Sequence, residues 1–508
     1  MTENAIEKFF ADHDRIFIFG IGNYSAALAE RLNELNLAFK GFIATSKKRA
    51  DRFTQCPLDT FMDHPVFLID EIVGGNVILA LPEKYQPDAQ QILIERGIKN
   101  IFRCTDDYMI ENVRRANELT VELVDEFKRS IPFQTVEHKP WRDVLIACLG
   151  GIGDLILVTP FIRELKRNHP TARLTLITTP LTADLMRTSP FVDRVKPFDW
   201  KRNVGTLRAR MLNARKFVDD ILDELNINAF DAALLPTWDV DLYGATFLLF
   251  FSRAARRIAY SERVNDNKAR SNKNFDLLLT DAVDDRSLRH EVERGLVMLD
   301  RIGDLVVDRQ PQLFVSTEDH STIDRLLRDH IDGDCKLIVL GVSATAPHRI
   351  WARESFAALV NRLHDWRDDL RFVIVGGRDA SQIAAHIVEH TPRGTTIDLT
   401  DRLTLRQSAA LCFRASIYVG NNTGAMHLAA TCGMRCVEIN NVPSDGDRNF
   451  IDGASRTRPF GEGHVILQPD HALDDCVGHC SKPFAHCINQ IDVETVVDAV
   501  KNIFLKGV

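Results

Sequence analysis

The chain has 508 residues, of which 45% are hydrophobic and 26% are charged, and its formal net charge is −8. This length is sufficient for about three domains of ordinary size. The acidic balance, without any long block of like charge, gives no footprint of a nucleic-acid surface, so we expect no nucleic-acid partner.

Three further features bear on where the protein works. The opening residues, MTENAIEKFFADHDR, have no basic stretch followed by an apolar one and do not resemble a secretory signal. The apolar run Ala245–Phe251 is far shorter than the roughly 20 residues that cross a bilayer. Ten scattered cysteines favour thiols over a disulfide framework. We therefore expect a cytoplasmic protein, with any membrane contact peripheral.

Residues 1–105 alternate strand and helix patterns, which predicts a small Rossmann-like domain. RIFIFGIGN, FKGFIA, GNVILALP and NIFRC predict strands, and DAQQILIERG predicts a helix that ends at Gly97. The first turn has Gly20 and Gly22, but Ser25 replaces the third glycine of the dinucleotide pattern, and FKGFIATSKK ends without an acidic residue for a ribose. NAD binding is therefore weakly supported, and the domain's role stays open between a structural remnant, a nucleotide site and a docking surface.

Two larger units follow a connector. Apolar residues at helical spacing, and then prolines, predict a helical connector over residues 106–140. Residues 141–312 alternate strands and helices, and the alternation starts again in residues 313–508 with KLIVLGVSA, RFVIVGG and SIYVGNNTG. The predicted fold class is therefore α/β, with two facing Rossmann-like domains in the GT-B plan preceded by a small third Rossmann-like domain.

A glycine-rich turn after the first strand of the 141–312 unit is a candidate catalytic segment. Gly150, Gly151 and Gly153 allow the backbone to approach a ligand closely. Asp154 follows at the carboxyl edge of the sheet, where open α/β sheets bind ligands, and is placed to act as a base. The alternative is that Asp154 only caps the following helix, and the residues alone do not decide between the two.

The strand, turn and helix start in YVGNNTGAMHL form a second candidate segment, which includes Asn422, Thr423, Gly424 and His427. Backbone N–H groups at a helix N-terminus suit a diphosphate, and the Thr423 hydroxyl can add a donor. This favours a site for a nucleotide leaving group. An asparagine-rich turn with only local caps is the alternative.

Two more loops follow strands in the same half of the chain. GVSATAPHRIW contains Ser343 and Arg349, and the Arg349 guanidinium can neutralise phosphate oxygens, while Trp351 is expected to pack. VGGRD contains Gly377, which a tight turn would also explain. A single arginine is more often a solvated surface charge, so neither loop is decisive alone.

Four segments, taken in order, resemble glycosyltransferase family 9, the family of the lipopolysaccharide heptosyltransferases. They are GGIGDLILVTPFIRELKRNHPTARLTLITT, GVSATAPHRIWARESFAALVNRL, FVIVGGRDA and DLTDRLTLRQSAALCFRASIYVGNNTGAMHLAATCG. Their shared order makes the resemblance far more specific than any one motif. It covers roughly residues 142–505 and leaves residues 1–140 outside.

The resemblance implies an inverting, metal-independent glycosyltransferase without a cofactor, whose donor is a nucleotide sugar, typically ADP-heptose. It makes Asp154 the catalytic base. The donor-binding residues that it implies are Ser343, Arg349, Gly377, Asn422, Thr423, Gly424 and His427. The implied acceptor is a hydroxyl of the lipopolysaccharide core or of another surface glycan or glycolipid, with peripheral contact at the inner membrane.

Two positions depart from the family's usual pattern. Asn422 stands where the family has aspartate, which puts in doubt any contact that needs a carboxylate, including contacts that select the donor sugar. Arg349 stands where the family has lysine, which keeps the charge but changes its geometry. An inactive nucleotide-binding scaffold and a transferase with a protein acceptor therefore stay open as alternatives. A nicotinamide-dependent oxidoreductase ranks last, because it leaves most of the chain unexplained.

A cluster of cysteines and histidines lies near the C-terminus, with six such residues between positions 471 and 487. Its cysteines, Cys476, Cys480 and Cys487, have a C-x3-C-x6-C spacing that lacks the paired C-x2-C knuckles of zinc modules. Similar loops occur in the resembled family without a known metal. We therefore expect no metal, and these three cysteines are the candidate ligands if one binds.

Overall fold

The structure is a computed structural model. It describes residues 3–20, 23–44, 60–61, 64–72, 74–81, 83–134, 140–200, 206–328, 330–331, 335–473, 476–480, 482 and 484–506. The helices are α1 (Glu3–Asp12), α2 (Asn23–Glu34), α3 (Gln86–Glu95), α4 (Asp106–Ser130), α5 (Ile152–Asn168), α6 (Pro180–Met186), α7 (Leu207–Leu225), α8 (Ala245–Phe251), α9 (Asp266–Ser271), α10 (Glu291–Arg301), α11 (Thr317–Leu327), α12 (Arg353–Trp366), α13 (Ser381–Glu389), α14 (Leu405–Cys412), α15 (Gly424–Thr431), α16 (Ala454–Thr457) and α17 (Val493–Leu505).

The strands form three sheets. They are β1 (Ile16–Phe19), β2 (Gly41–Ala44), β3 (Thr60–Phe61), β4 (His64–Leu68), β5 (Asn76–Leu79), β6 (Asn100–Arg103), β7 (Asp143–Cys148), β8 (Arg173–Thr178), β9 (Arg194–Pro197), β10 (Ala232–Leu235), β11 (Arg256–Tyr260), β12 (Asp281–Val283), β13 (Lys336–Gly341), β14 (Leu370–Val375), β15 (Thr396–Asp398), β16 (Ile417–Asn421), β17 (Arg435–Ile439) and β18 (Val465–Leu467).

The second and third sheets have the same strand order. The second runs β12-β11-β10-β7-β8-β9 and the third β15-β14-β13-β16-β17-β18, and both are parallel. In each sheet, the direction in which successive strands are added reverses between two neighbouring strands. These are β7 and β10 in the second sheet, and β13 and β16 in the third. The crevice outside the carboxyl ends of the strands at such a reversal is where doubly wound sheets bind ligands. The predicted GT-B fold class is confirmed.

The central strands are continuous apolar runs because helices cover both faces of these sheets. Every residue of β7 and of β16 is buried, and five of the six residues of β13 are buried. Val144 of β7 lies in register with Leu174 of β8, and Ile338 of β13 with Ile417 of β16. These pairings fix the strand ends, and therefore the loops that follow them, at one edge of each sheet.

The first sheet runs β3-β4-β2-β1-β5-β6, with all pairs parallel except β3 and β4. Strands β3 and β4 have no counterpart among the predicted elements, because HPVFL is short and contains a proline. In the predicted glycine turn, Gly20 has φ 116°, and the buried Ser25 Oγ donates a hydrogen bond to the Ala80 carbonyl at 3.4 Å. Gly22 lies outside the described residues.

Helix α4 runs through most of the predicted connector and joins the first two units. Tyr108 and Met109, near its start, belong to the core of the first sheet. Val124 and Phe127, near its end, belong to the core of the second, where Phe127 packs edge-on against Phe251 at 5.3 Å. One continuous helix therefore contributes to both cores. No helix in the described parts of the chain has the length and apolar character needed to cross a bilayer.

Candidate active site

The candidate site lies where the second and third sheets approach each other through the helices that follow β7 and β16. The N-termini of α5 and α15 meet at this point. A β-carbon on Gly153 would lie 2.7 Å from His427 Cδ2, and one on Gly424 would lie 2.6 Å from Ile152 Cβ. Glycine is therefore required on both helices for this approach. The contact brings the two sequence-predicted segments, from different domains, to one place.

Asp154 is the third residue of α5. Its Oδ2 accepts a hydrogen bond from the Gly151 N–H at 2.7 Å, so it does cap the helix, as the alternative interpretation proposed. The side chain is nevertheless accessible to solvent, and Oδ1 accepts no hydrogen bond from any described residue. Capping by one oxygen and chemistry by the other are thus compatible.

The protein around Asp154 adjusts its pKa. Desolvation raises the pKa of this carboxyl to about 6, against the lowering effect of the Gly151 hydrogen bond, and the nearby Glu291 carboxylate raises it further. A carboxyl with this pKa is mostly ionised at neutral pH, yet holds a proton much better than an ordinary aspartate. Both properties suit a general base.

The three glycines before Asp154 are not equivalent. A β-carbon on Gly150 would collide with Asp154 Oδ2, and one on Gly153 would collide with the His427 ring. A β-carbon on Gly151 would meet only Asp154 Oδ2, at 3.6 Å, which is an ordinary contact. Gly151 has φ −75°. Space for the carboxylate and for the facing helix therefore explains two of the glycines, and Gly151 has no such requirement.

On the facing domain, Thr423 is the N-cap of α15, but its side chain makes no capping hydrogen bond. The first backbone N–H groups of α15 therefore lack a side-chain cap, and the positive end of the helix dipole faces the cleft beside Gly153. This is the arrangement that the sequence predicts for a diphosphate. Thr423 and Gly424 are partly exposed, so the helix start is accessible.

Arg349 is buried rather than a solvated surface charge. Its Nη1 donates to Asp452 Oδ1 at 3.0 Å and to Thr345 Oγ1 at 3.1 Å, and Nη2 donates to the Asn422 carbonyl at 2.5 Å. Its buried Nε has no partner among the described residues. The guanidinium thus fixes the turn before α15, and its Nε–H group stays available to donate a hydrogen bond to a ligand.

Asn422 is bound to a buried glutamate that the sequence analysis did not identify. Its Nδ2 donates to Glu438 Oε1 at 2.5 Å, and Asn440 Nδ2 donates to the same oxygen at 2.7 Å. Burial raises the pKa of Glu438 to about 7, against the lowering effect of these two amides and of Arg349. An aspartate at position 422 would place a second carboxyl against Glu438, so the amide is the side chain that this surrounding requires.

The other predicted donor residues differ in burial and in their distance from the helix contact. His427 is buried against Gly153, and burial, together with His290 and Arg349, lowers its pKa to about 3, so the ring is neutral. Ser343 is half-buried after β13, and its Oγ lies 3.3 Å from a β-carbon built on Gly376. Gly377 is exposed at the start of the short 3-10 helix Arg378–Ala380.

Arg456, a further charged residue at the cleft, joins the two domains. It is only 2% exposed, and its Nε donates to Glu291 Oε1 at 2.7 Å, while its Nη1 donates to Asp239 Oδ2 at 2.9 Å. Both carboxylates belong to the other domain, and Glu291 and Arg456 both act on the pKa of Asp154. No short-range signal could reveal this group, since its members are 165 and 217 positions apart.

Solved structures of other proteins share the fold of this chain. A glycosyl transferase family 9 structure from Veillonella parvula has 18% identity and a TM-score of 0.58, covering 74% of this chain and all of that one. The ADP-heptose lipopolysaccharide heptosyltransferase II of E. coli has 16% identity and a TM-score of 0.54, covering 72% and 99%. E. coli heptosyltransferase WaaC with ADP has 14% identity and a TM-score of 0.52, covering 71% and 99%. These likenesses show the GT-B fold.

The family comparison then gives the class of reaction. Residues 224–441 match the model of glycosyltransferase family 9 (heptosyltransferase). The matched region contains every predicted donor residue and begins after Asp154. No curated protein matches the chain. The family match and the fold confirm the resemblance to family 9 and support the assignment of the chain as a glycosyltransferase.

The glycines give a matched pair of variants. Gly153→Ala should lower the sugar-transfer rate by about 10²-fold, because the new β-carbon pushes His427 and the two helices apart. Gly151→Ala should leave the rate nearly unchanged and cost no more than about 1 kcal/mol of stability. Steady-state rates and thermal unfolding of both variants check this. Equal rates for the two variants would contradict the helix contact described here.

The Asn422–Glu438 pair predicts a pH-dependent loss of stability. Asn422→Asp should lower the free energy of unfolding by roughly 1–3 kcal/mol at pH 8, where both carboxyls tend to ionise, and by less at pH 5, where one holds a proton. Adding Glu438→Gln should restore the stability at pH 8, because the glutamine amide can donate to Asp. Denaturant unfolding at both pH values measures this, and an Asn422→Asp protein as stable as wild type at pH 8 would contradict the pairing.

Proposed function

We propose that the protein is an inverting, metal-independent glycosyltransferase that transfers a heptose from ADP-heptose to an acceptor hydroxyl. The family match supports the class of reaction. The observation that carries the proposal is the contact between the N-termini of α5 and α15, which brings the Asp154 carboxylate beside an uncapped helix start. Displacement of a nucleoside diphosphate by a hydroxyl needs a base for the proton and donors that stabilise the leaving anion, and this contact brings candidates for both together.

In the proposed reaction, the acceptor oxygen attacks the anomeric carbon of the donor sugar as Asp154 takes the hydroxyl proton. The bond between that carbon and the diphosphate oxygen breaks, and ADP leaves with the electron pair. A single displacement from the face opposite the leaving group inverts the anomeric centre. Asp154 has one oxygen held by Gly151 and the other available, which supports its role as the base.

The negative charge that develops on the leaving diphosphate needs stabilisation. The first N–H groups of α15 supply fixed donors, and Arg349 supplies a buried positive charge with one unused N–H. These groups are in place before the reaction and need little reorganisation. They support departure of the diphosphate without a metal ion or other cofactor in the cleft.

The acceptor in this proposal is a hydroxyl of the lipopolysaccharide core or of another surface glycan or glycolipid, met in the cytoplasm at the inner face of the membrane. The support for it comes from the family and from E. coli heptosyltransferase II, named as an ADP-heptose lipopolysaccharide enzyme. A protein acceptor would keep the same base and donor site.

A donor panel tests the proposal without knowledge of the acceptor. ADP-heptose, ADP-glucose, UDP-glucose and GDP-mannose are incubated with the protein, and the slow release of nucleotide by water is measured. Release from ADP-heptose well above the others is expected. Binding of a nucleotide sugar without any release would instead favour the inactive nucleotide-binding scaffold, and no binding of any nucleotide sugar would contradict the proposal.

Asp154→Asn should lower kcat/KM by about 10²–10⁴-fold, because the amide cannot take the acceptor proton, while the KM for the donor changes little. Since the pKa of Asp154 is raised to about 6, wild-type kcat/KM should be level above that pH and fall about tenfold per pH unit below it. The residual activity of the variant should lack this acidic limb.

The control is Asp324→Asn. Asp324 lies on α11, outside the cleft, and its carboxylate pairs with Arg414 at 2.8 Å. This variant should keep the wild-type rate and pH profile. An acidic limb that persists in Asp154→Asn would assign the titration to another group and remove the support for Asp154 as the base.

A further inference from the structure

The segment between β18 and α17, residues 468–492, brings four potential metal ligands together; we call it the cysteine loop. The thiols of Cys476, Cys480 and Cys487 and the imidazole of His486 each offer one atom, and these atoms all lie within 4.8 Å of one another. The three cysteines are buried and form a small cluster with Ala472 and Leu473. The cluster lies outside the residues assigned to sugar transfer.

The distances from the imidazole nitrogen to the three thiols are close to those of tetrahedral coordination. His486 Nδ1 lies 3.6 Å from Cys476 Sγ, 4.0 Å from Cys480 Sγ and 3.5 Å from Cys487 Sγ. In a regular tetrahedron with zinc–sulfur bonds near 2.3 Å and zinc–nitrogen bonds near 2.0–2.1 Å, the nitrogen and each sulfur are about 3.6 Å apart. The three observed separations therefore surround the value that one central ion would impose.

The fold selects these four residues from the larger cluster in the sequence. His471 and His479 lie in the same segment but are not part of the group. The His479 ring instead stacks on Phe450, with ring centroids 4.2 Å apart. Selection of one imidazole and three thiols gives a Cys3His set, which is a common ligand set of structural zinc sites.

We propose that the cysteine loop binds one Zn²⁺ ion through Cys476, Cys480, His486 and Cys487. Thiolate and imidazole ligands in a tetrahedron favour zinc over the hard cations Mg²⁺ and Ca²⁺, which take oxygen ligands. Four protein ligands close the coordination sphere and leave no position for substrate. The ion is therefore structural, and the proposal is independent of the donor, the acceptor and the role of Asp154.

The site has a clear structural task, because the cysteine loop supports the loop over residues 442–453. The Gly478 carbonyl accepts a hydrogen bond from the Asp447 N–H at 3.1 Å, and the Pro469 carbonyl accepts one from the Ser444 N–H at 2.8 Å. The supported loop carries Asp452, the ion-pair partner of Arg349. Zinc in the cysteine loop would thus hold the wall of the donor side of the cleft in place.

Metal analysis of the purified full chain tests the site directly. The wild type should contain about one zinc ion per chain. Cys480→Ser and His486→Ala should lose most of this zinc. His471→Gln is the matched control, since it removes a histidine of the same segment that lies outside the group, and it should keep the wild-type zinc content.

Cobalt substitution keeps the test decisive if a variant fails to fold. Wild-type protein is stripped with a chelator and reconstituted with Co²⁺. Tetrahedral thiolate ligation should give intense visible d–d bands and a near-ultraviolet thiolate-to-cobalt band, which added Zn²⁺ abolishes. The proposal would be overturned if the wild type held iron or no metal, or if it gave only the weak bands of octahedral Co²⁺. It would also be overturned if the Cys480→Ser and His486→Ala variants kept their zinc.

Discussion

The close approach of α5 and α15 is the constraint on which the site depends. Two helices can meet at their N-termini this closely only where side chains are missing, and Gly153 and Gly424 provide that space. Each helix follows a central strand of its own sheet, so the contact joins the two ligand-binding edges. It sets the Asp154 carboxylate and the start of α15 side by side, although 270 positions separate Asp154 from Gly424 along the chain.

Charged groups around this contact are paired, and the pairs of Arg456 cross the domain boundary. Arg456 of the donor side is held by two carboxylates of the other domain, and Arg349 is held by Asp452. Removing one partner from such a buried pair leaves an uncompensated charge, so the two pairs of Arg456 favour one relative position of the domains. Three of these charged groups, Glu291, Arg456 and Asp452, act together with burial on the pKa of Asp154. Positioning of the base and tuning of the base are therefore parts of one arrangement.

Much of the fold could be predicted from the sequence, because parallel strands covered by helices give long apolar runs with glycine turns after them. Candidate site residues could be chosen from the sequence where they lie in a local strand–turn–helix pattern, as Asp154 and the Thr423–Gly424 turn do. The sequence could not predict contacts between residues that are distant along the chain, such as the hydrogen bond from Asn422 to Glu438 and that from Arg456 to Asp239. The cysteine loop shows the same limit, since spacing alone did not reveal that His486 completes the group.

The central claim is that the base and the donor site are separate groups on facing domains. Calorimetric titration of ADP-heptose into wild type, Arg349→Ala and Asp154→Asn tests it most directly. The account predicts binding that is nearly unchanged in Asp154→Asn and at least tenfold weaker in Arg349→Ala, as expected for loss of a charge-assisted contact worth about 1.5–3 kcal/mol. Unchanged binding in Arg349→Ala, or loss of binding in Asp154→Asn, would contradict it.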